Sequence, residues 1–313
     1  MAANAEKPEA ESFTLSSLWS NQNQPGLGFL RYSEKPLPPS PPCIEVLPSE
    51  ASTARYTAES LNLSEDLALL KGRVSTHEVF SLSNSDLVPG KYEGGLKLWE
   101  GSLDLVKTLR SEIQDERLSL TGKRVLELGC GHGLPGIFAC LEGASVIHFQ
   151  DFNAEVLQCL TIPNVNANLR KEPVQFATAS VTERNTKADV RFFAGDWSEV
   201  HQYLLHPCEN EDENSLDLKL EQDSTAGYDL ILMAETVYSI VSLQNLYALI
   251  KKCLNRPHGV VYMAAKKHYF GVGGGTRQFL SVVGKDGVMV SNLIAEIADG
   301  SSNVREVWKL SYN

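Results

Sequence analysis

The chain has 313 residues, 42% of them hydrophobic, and a formal net charge of −11. That length and apolar content suit one large α/β domain with appendages, or two small domains. The acidic balance argues against bare phosphate backbone as the main partner; it suits a soluble protein, or one whose partner is basic, so no direct nucleic-acid contact is expected.

Cys43, Cys130, Cys140, Cys159, Cys208 and Cys253 form no CxxC pair, and no His or Cys stands at zinc-finger spacing. We read them as reduced thiols of a cytoplasmic or nuclear protein, with no metal site. The first 20 residues lack a basic start followed by an apolar run, and no stretch reaches the roughly 18 apolar residues of a membrane span. Neither a signal peptide nor a membrane contact is expected.

Residues 1–55 read as a disordered tail, because PLPPSPPCIEVLP (36–48) favours extended backbone and cannot pack as a helix. Residues 56–95 form an extension expected to pack on the core. Within it, LSEDLALLKGRV (63–74) is expected to give a short helix followed by a strand or loop. The main domain is set at 96–313. A helix follows the glycine turn of YEGGLKLWE (92–100), with Ser102 as its cap and Leu103, Val106, Leu109 and Ile113 on one face.

Strands and helices then alternate as in a doubly wound, mostly parallel sheet. Strands are expected at 124–129, 145–150, 190–194, 229–234 and 259–265, and further strands near 287–297 and 304–312. Helices are expected at 134–142, at 153–162 with an interruption at Pro163 and a further turn through NVNANL (164–169), at 241–254 and near 275–284. An acidic insertion interrupts the pattern at about 205–227; ENEDENSLDLKLEQD (209–223) carries seven carboxylates and one lysine.

RVLELGCGHGLPGI (124–137) carries glycines where a strand should turn into a helix, so backbone can approach a ligand with no Cβ in the way. The dinucleotide fingerprint places its first glycine directly after the strand. Counted from Gly129, the third position of that fingerprint is Leu134. No Gly-Lys-Ser/Thr follows either, so this is not a P-loop. Glu127, Gly129, Gly131 and Gly133 are better described as Glu-x-Gly-x-Gly-x-Gly. Asp151 ends the next strand near the spacing at which an acid meets ribose hydroxyls. Gly195, Asp196 and Trp197 end the third, where Asp196 can accept from an adenine amino group and Trp197 can cover the ring. Ala234, Glu235, Thr236, Val237 and Tyr238 end the fourth.

Glu-x-Gly-x-Gly-x-Gly resembles the first motif of S-adenosyl-L-methionine-dependent methyltransferases with a seven-stranded sheet, the Rossmann-like class I. In that reading Glu127 orients the ligand's ammonium through water or backbone. YEGGLKLWE, VLELGCGHGLPGI (125–137), HFQDFN (148–153), IPNVNANL (162–169), GDW, LILMAETVY (230–238) and KKHYFGVGGG (266–275) together resemble the protein-histidine N-methyltransferases, over roughly residues 90–312. The resemblance implies S-adenosyl-L-methionine as cofactor, with methyl transfer to the imidazole nitrogen remote from the backbone. The implied substrate is a histidine of large-subunit ribosomal protein three, a basic protein. The cofactor shell it implies is Trp99, Glu100, Gly101, Ser102, Gly129, Gly131, Gln150, Asp151, Phe152, Gly195, Asp196, Trp197 and Ala234. Activity as a monomer is expected.

Imidazole is nucleophilic near neutral pH, so the site needs an acceptor that selects one tautomer more than it needs a strong base. Candidates are Glu235, which we favour, Tyr238, His268 and Tyr269. The glycines at 271 and 273–275 can form a lip over the imidazole. A protein-lysine methyltransferase of the same class is the alternative. The absence of Asn/Asp-Pro-Pro-Tyr after the fourth strand argues against a nucleic-acid amine methyltransferase, Leu134 against a nicotinamide oxidoreductase, and the intact shell against a binding protein without turnover.

Overall fold

The computed structural model describes residues 38–53, 56–82, 85–169, 188–205, 227–298, 300 and 303–313. Residues 1–37 of the expected tail, the acidic stretch 209–223 and Cys208 lie outside the described residues.

One eight-stranded sheet organises the chain. Its parallel centre is β4 (Arg124–Leu128), β5 (Val146–Asp151), β6 (Asp189–Ala194), β7 (Leu230–Ala234) and β8 (Val260–Lys266). The antiparallel pair β9 (Met289–Ile297) and β10 (Arg305–Tyr312) closes one edge on β8. At the other edge β1 (Ile44–Val46) lies antiparallel to β6, giving the order β1-β6-β5-β4-β7-β8-β10-β9. Because β4 has β5 on one side and β7 on the other, the winding reverses at β4, and the crevice beyond its carboxyl end is where such sheets bind ligands.

Alternation along each strand assigns residues to the two faces. Val125, Ile147, Leu230 and Leu232 pack with one buried cluster, which takes Leu105, Val106 and Leu109 from α2 (Glu100–Gln114) and Ile137 and Phe138 from α3 (Leu134–Leu141). Leu126, Leu128, Ile231 and Met233 pack with the other, which takes Leu246, Leu249 and Ile250 from α7 (Leu243–Cys253) and Phe279 and Val283 from α8 (Thr276–Asp286). The short helices α1 (Thr76–Phe80) and α6 (His201–Leu205) lie in the connections. Both faces of the sheet are covered, so most residues of the central strands are apolar, with Glu127, His148, Gln150 and Asp151 as buried polar exceptions. Each fully buried side chain of this size contributes about 1.5–3 kcal/mol.

Four local expectations change. The helix expected within 63–74 is instead part of a hairpin, β2 (Thr57–Ser64) and β3 (Leu67–Arg73), turning at Glu65-Asp66. Arg110 of α2 binds Ser64 and Asp66 and so holds that turn, while Leu63 and Leu69 are buried. The tail boundary at 55 is too late, because β1 already belongs to the sheet. Proline-rich chain cannot form helix, but it can run extended onto a sheet edge. Ser102 does not cap α2. Trp99 stands at the N-cap, and the Ser102 hydroxyl donates to the Trp99 carbonyl (2.8 Å). Pro163 does not interrupt its helix, which continues through NVNANL as expected. The chain runs from α4 (Ala154–Val156) through a wide turn over Leu157–Thr161 into α5 (Ile162–Leu169), and a turn of that pitch can absorb a proline with no N–H.

Candidate functional site

The glycine turn lies between β4 and α3. Gly129, Gly131 and Gly133 have φ of 60, 47 and 70°, the left-handed region that costs an L-residue about 1–2 kcal/mol. Space is as restrictive as backbone. A Cβ on Gly129 would lie 2.8 Å from the Thr236 methyl, and one on Gly131 would lie 2.9 Å from the Gly95 carbonyl. The YEGG segment therefore lies directly on the turn.

Two buried carboxylates fix the turn from below. Asp151 accepts from the N–H groups of Gly131 (2.9 Å) and Asn153 (3.1 Å). It is 4% exposed, and burial raises its pKa to about 6 against those bonds. Glu127, 2% exposed, accepts from Gly136 N–H (2.7 Å) in the first turn of α3, and burial raises its pKa to about 8. Its carboxylate meets backbone, so any effect on a ligand passes through the position of α3 and the turn.

Gln150 joins three strand ends. Its Oε1 accepts from Gly129 N–H (3.3 Å) and the Trp197 indole (2.9 Å), and its Nε2 donates to the Gly195 carbonyl (2.9 Å). Trp197 is thereby held with its ring 3.8 Å from where a Gly129 Cβ would stand. Asp196 Oδ1 accepts from the N–H and hydroxyl of Ser198 (2.9 and 2.6 Å), so that oxygen caps the following turn. Its Oδ2 has no partner among the described residues. Gly195 packs flat on Cys43, beside β1, which brings the edge strand into the same corner.

The ends of β7 and β8 supply the third side. Glu235 has φ of 59°, is 7% exposed, and accepts from Gly101 N–H (3.2 Å) at the start of α2. It also accepts from the Tyr269 hydroxyl, whose oxygen takes Lys266 N–H (3.3 Å). Burial raises the Glu235 pKa, and Tyr269 and Lys266 oppose that shift. Tyr238 donates to Glu93 of the YEGG segment. Gly274 N–H bonds the Tyr238 carbonyl (2.9 Å) and Gly275 N–H the Val237 carbonyl (2.8 Å), docking the glycine-rich lip on this stretch. Thr236 is 3% exposed, and its hydroxyl finds no partner among the described residues.

The expected residues thus meet in three linked groups: Gly131 with Asp151; Gly129, Gln150, Gly195 and Trp197; and Gly101, Glu235, Tyr238 and Tyr269. Trp99 and Ser102 flank Gly101 at the head of α2, and the Trp99 indole donates to the Gly94 carbonyl (3.0 Å). Ala234 precedes Glu235 at the end of β7, and Phe152 follows Asp151, partly buried. Two residues stand apart. Glu100 is exposed on the first turn of α2. His268 is exposed and bonds none of the other site residues. No group of His, Cys, Asp and Glu among the described residues could hold a metal ion. Glu93 and Thr236 are additions; they lie inside YEGGLKLWE and LILMAETVY, with nothing local to mark them.

The arrangement suits a ligand that brings hydroxyl and amino donors to Asp151 and Asp196, a flat ring to Trp197, and a polar atom to the Thr236 hydroxyl.

Known proteins resemble the chain along most of its length. It is 38% identical over 233 residues to the histidine protein methyltransferase 1 homolog of Dictyostelium discoideum, covering 74% of this chain and 62% of that protein. It is 35% identical over 268 residues to the homolog of Rattus norvegicus, covering 82% and 67%. It is 30% identical over 261 residues to histidine protein methyltransferase 1 of Saccharomyces cerevisiae, covering 71% and 62%. The chain thus spans about two thirds of the length of the curated relatives it matches. No protein-family model matches it. Among solved structures, the magnesium protoporphyrin IX methyltransferase of Synechocystis with bound S-adenosylhomocysteine gives a TM-score of 0.44 at 9% identity, over 68% of this chain and 84% of that one.

Proposed function

The chain belongs to the histidine protein methyltransferase 1 family, and from that premise we propose that it transfers a methyl group from S-adenosyl-L-methionine to a histidine side chain of a protein. The observation that carries the reading is the cradle at the end of β4. There Gly129 and Gly131 leave no room for a Cβ, the buried acceptor Asp151 lies beneath, and the Thr236 hydroxyl lacks a partner among the described residues.

The bound cofactor supplies an electrophilic methyl group on a sulfonium. Asp151 would accept its ribose hydroxyls, and Trp197 with Asp196 would hold its adenine. Trp99, Gly101 and Ser102 would hold it at the head of α2. The remaining task belongs to the substrate side: to present an imidazole with one nitrogen lone pair free and in line. Glu235 already anchors Gly101 N–H and the Tyr269 hydroxyl, and its carboxylate, like that of Asp151, keeps lone pairs for a further bond. Tyr238 also suits the task, because its hydroxyl gives its proton to Glu93 and its oxygen accepts nothing among the described residues.

We extend the proposal to a basic ribosomal protein, large-subunit ribosomal protein three. The family resemblance supports this, and a net charge of −11 complements such a partner. Action as a monomer in the cytoplasm or nucleus is part of the same proposal; Cys43, Cys130, Cys140 and Cys253 are free thiols, in keeping with it. The test is methylation of a ribosomal-protein fraction with labelled cofactor, followed by fragmentation mass spectrometry that locates the mark. Methylhistidine is expected. Methyllysine in its place would convert the assignment to the lysine alternative, and no incorporation would remove it.

A further inference from the structure

Two tyrosine–carboxylate pairs stand side by side at the mouth of the sheet, Tyr238 with Glu93 and Tyr269 with Glu235, their rings 6.5 Å apart and inclined at 71°. They are not equivalent. A phenol has one proton to give and an oxygen that can accept. Tyr269 uses both, giving its proton to Glu235 and accepting Lys266 N–H. Tyr238 gives its proton to Glu93, and its oxygen accepts nothing among the described residues. Tyr238 is partly exposed.

Glu93 is held independently of any ligand. Its Oε1 takes Gly90 N–H (2.7 Å), and its own N–H bonds Asn153 Oδ1 (3.2 Å). Asn153 in turn donates to the Lys91 carbonyl (2.9 Å). The carboxylate is therefore fixed before a substrate arrives.

Resting on the histidine reading above, we infer that Glu93 is a positioning residue: by engaging the Tyr238 proton it leaves that hydroxyl as an acceptor for the near-nitrogen N–H of the target imidazole, and so directs the methyl group to the remote nitrogen. A free tyrosine could instead donate to the near nitrogen, which would place the ring proton on the remote nitrogen and block it. In the transfer the ring gains a carbon at the remote nitrogen and one positive charge, which the sulfonium loses as the carbon–sulfur electron pair passes to sulfur. The near-nitrogen proton leaves to water after release, so no strong base is called for. Glu93 acts through Tyr238, and its signature is the choice of nitrogen.

The experiment uses the full chain as wild type, Glu93→Ala, Glu93→Gln and Tyr238→Phe, with labelled S-adenosyl-L-methionine and a ribosomal-protein fraction as acceptor. Hydrolysates are separated into the two methylhistidine isomers, and S-adenosylhomocysteine affinity is measured alongside. We expect affinity within about threefold of wild type, and kcat lower by roughly tenfold or more in Glu93→Ala and Tyr238→Phe. The near-nitrogen isomer should rise in Glu93→Ala. Glu93→Gln keeps the side chain's shape and decides the question if the alanine variant fails to fold. Unchanged kcat and isomer ratio in the variants overturn the inference. So does a fall in kcat that tracks lost affinity at a constant isomer ratio, the mark of a merely structural role. If the wild type labels no histidine, the underlying reading falls, and the inference with it.

Discussion

Glu235 offers a quantitative test of how the mouth of the sheet is built. It is a non-glycine residue at φ of 59°, held there while its carboxylate accepts from Gly101 N–H and the Tyr269 hydroxyl. Glu235→Ala keeps the backbone cost and leaves two buried donors without an acceptor, about 1–3 kcal/mol each. Part of this is offset, because burial already opposes ionisation of that carboxylate. The expected net loss is about 2–4 kcal/mol. Glu235→Gly loses the same bonds but relieves the left-handed backbone, so it should be about 1 kcal/mol more stable than the alanine variant after the entropy of the unfolded glycine is counted. For a chain of this size each kcal/mol moves the melting temperature by roughly 2–4 °C. Scanning calorimetry should therefore rank wild type above Glu235→Gly above Glu235→Ala. An alanine variant that melts with the wild type would show that the two bonds contribute nothing. A glycine variant that melts no higher than the alanine one would show that the backbone is unstrained. Both variants should also bind S-adenosylhomocysteine more weakly by isothermal titration, because Glu235 anchors the head of α2.

Asp151→Ala should weaken cofactor binding by about 1.5–3 kcal/mol per charged hydrogen bond lost; unchanged titration isotherms would separate Asp151 from the ligand. Thr236→Val removes the unpartnered buried hydroxyl, so the free protein should melt at the same temperature or higher, while the rise on saturation with S-adenosylhomocysteine should shrink. An equal rise in both proteins would mean that the hydroxyl does not meet the cofactor. Glu127 has a native pKa raised to about 8 against an unfolded value of about 4.3, so between those limits the native chain holds a proton the unfolded chain has released. Its contribution is complete below about pH 4.3 and is lost as pH rises through about 8. Urea midpoints at pH 5.5 and 8 should therefore differ less in Glu127→Gln than in the wild type; equal differences would refute the assignment.

The parallel strands are legible because their two faces are separately buried, which leaves continuous apolar runs bounded by glycine and acid. The hairpin is not. Leu63, Leu67 and Leu70 stand at helical spacing, and what decides against a helix is the turn at Asp66, held by Arg110 from 44 residues away in sequence. β1 is three residues long and exists through its pairing with Phe192–Ala194, so nothing local marks it. The same distinction divides the site. Gly129, Gly131 and Gly133 announce their positive φ by being glycine. Glu93 meets Tyr238 across 145 residues, and a carboxylate beside two glycines reads as an ordinary turn until that partner is in place.

Departures from local preference concentrate at this end of the sheet. Three non-glycine residues have positive φ among the described residues: Ser81, Glu116 and Glu235. Ser81 is the C-cap of α1 and Glu116 follows the C-cap of α2, where a left-handed residue is an ordinary way to end a helix. Glu235 follows the end of β7 and has no such explanation. Asp151 and Glu127 are buried against their own ionisation, and the Thr236 hydroxyl is buried with nothing to bond among the described residues. Glycine at 235 and valine at 236 would each relieve a local cost of about 1 kcal/mol or more. Strain of this kind persists where surrounding contacts over-determine the backbone, and it gathers at ligand sites. The end of β4 and β7 is thus marked as the working face by what its residues cost the fold, independently of the glycine motif.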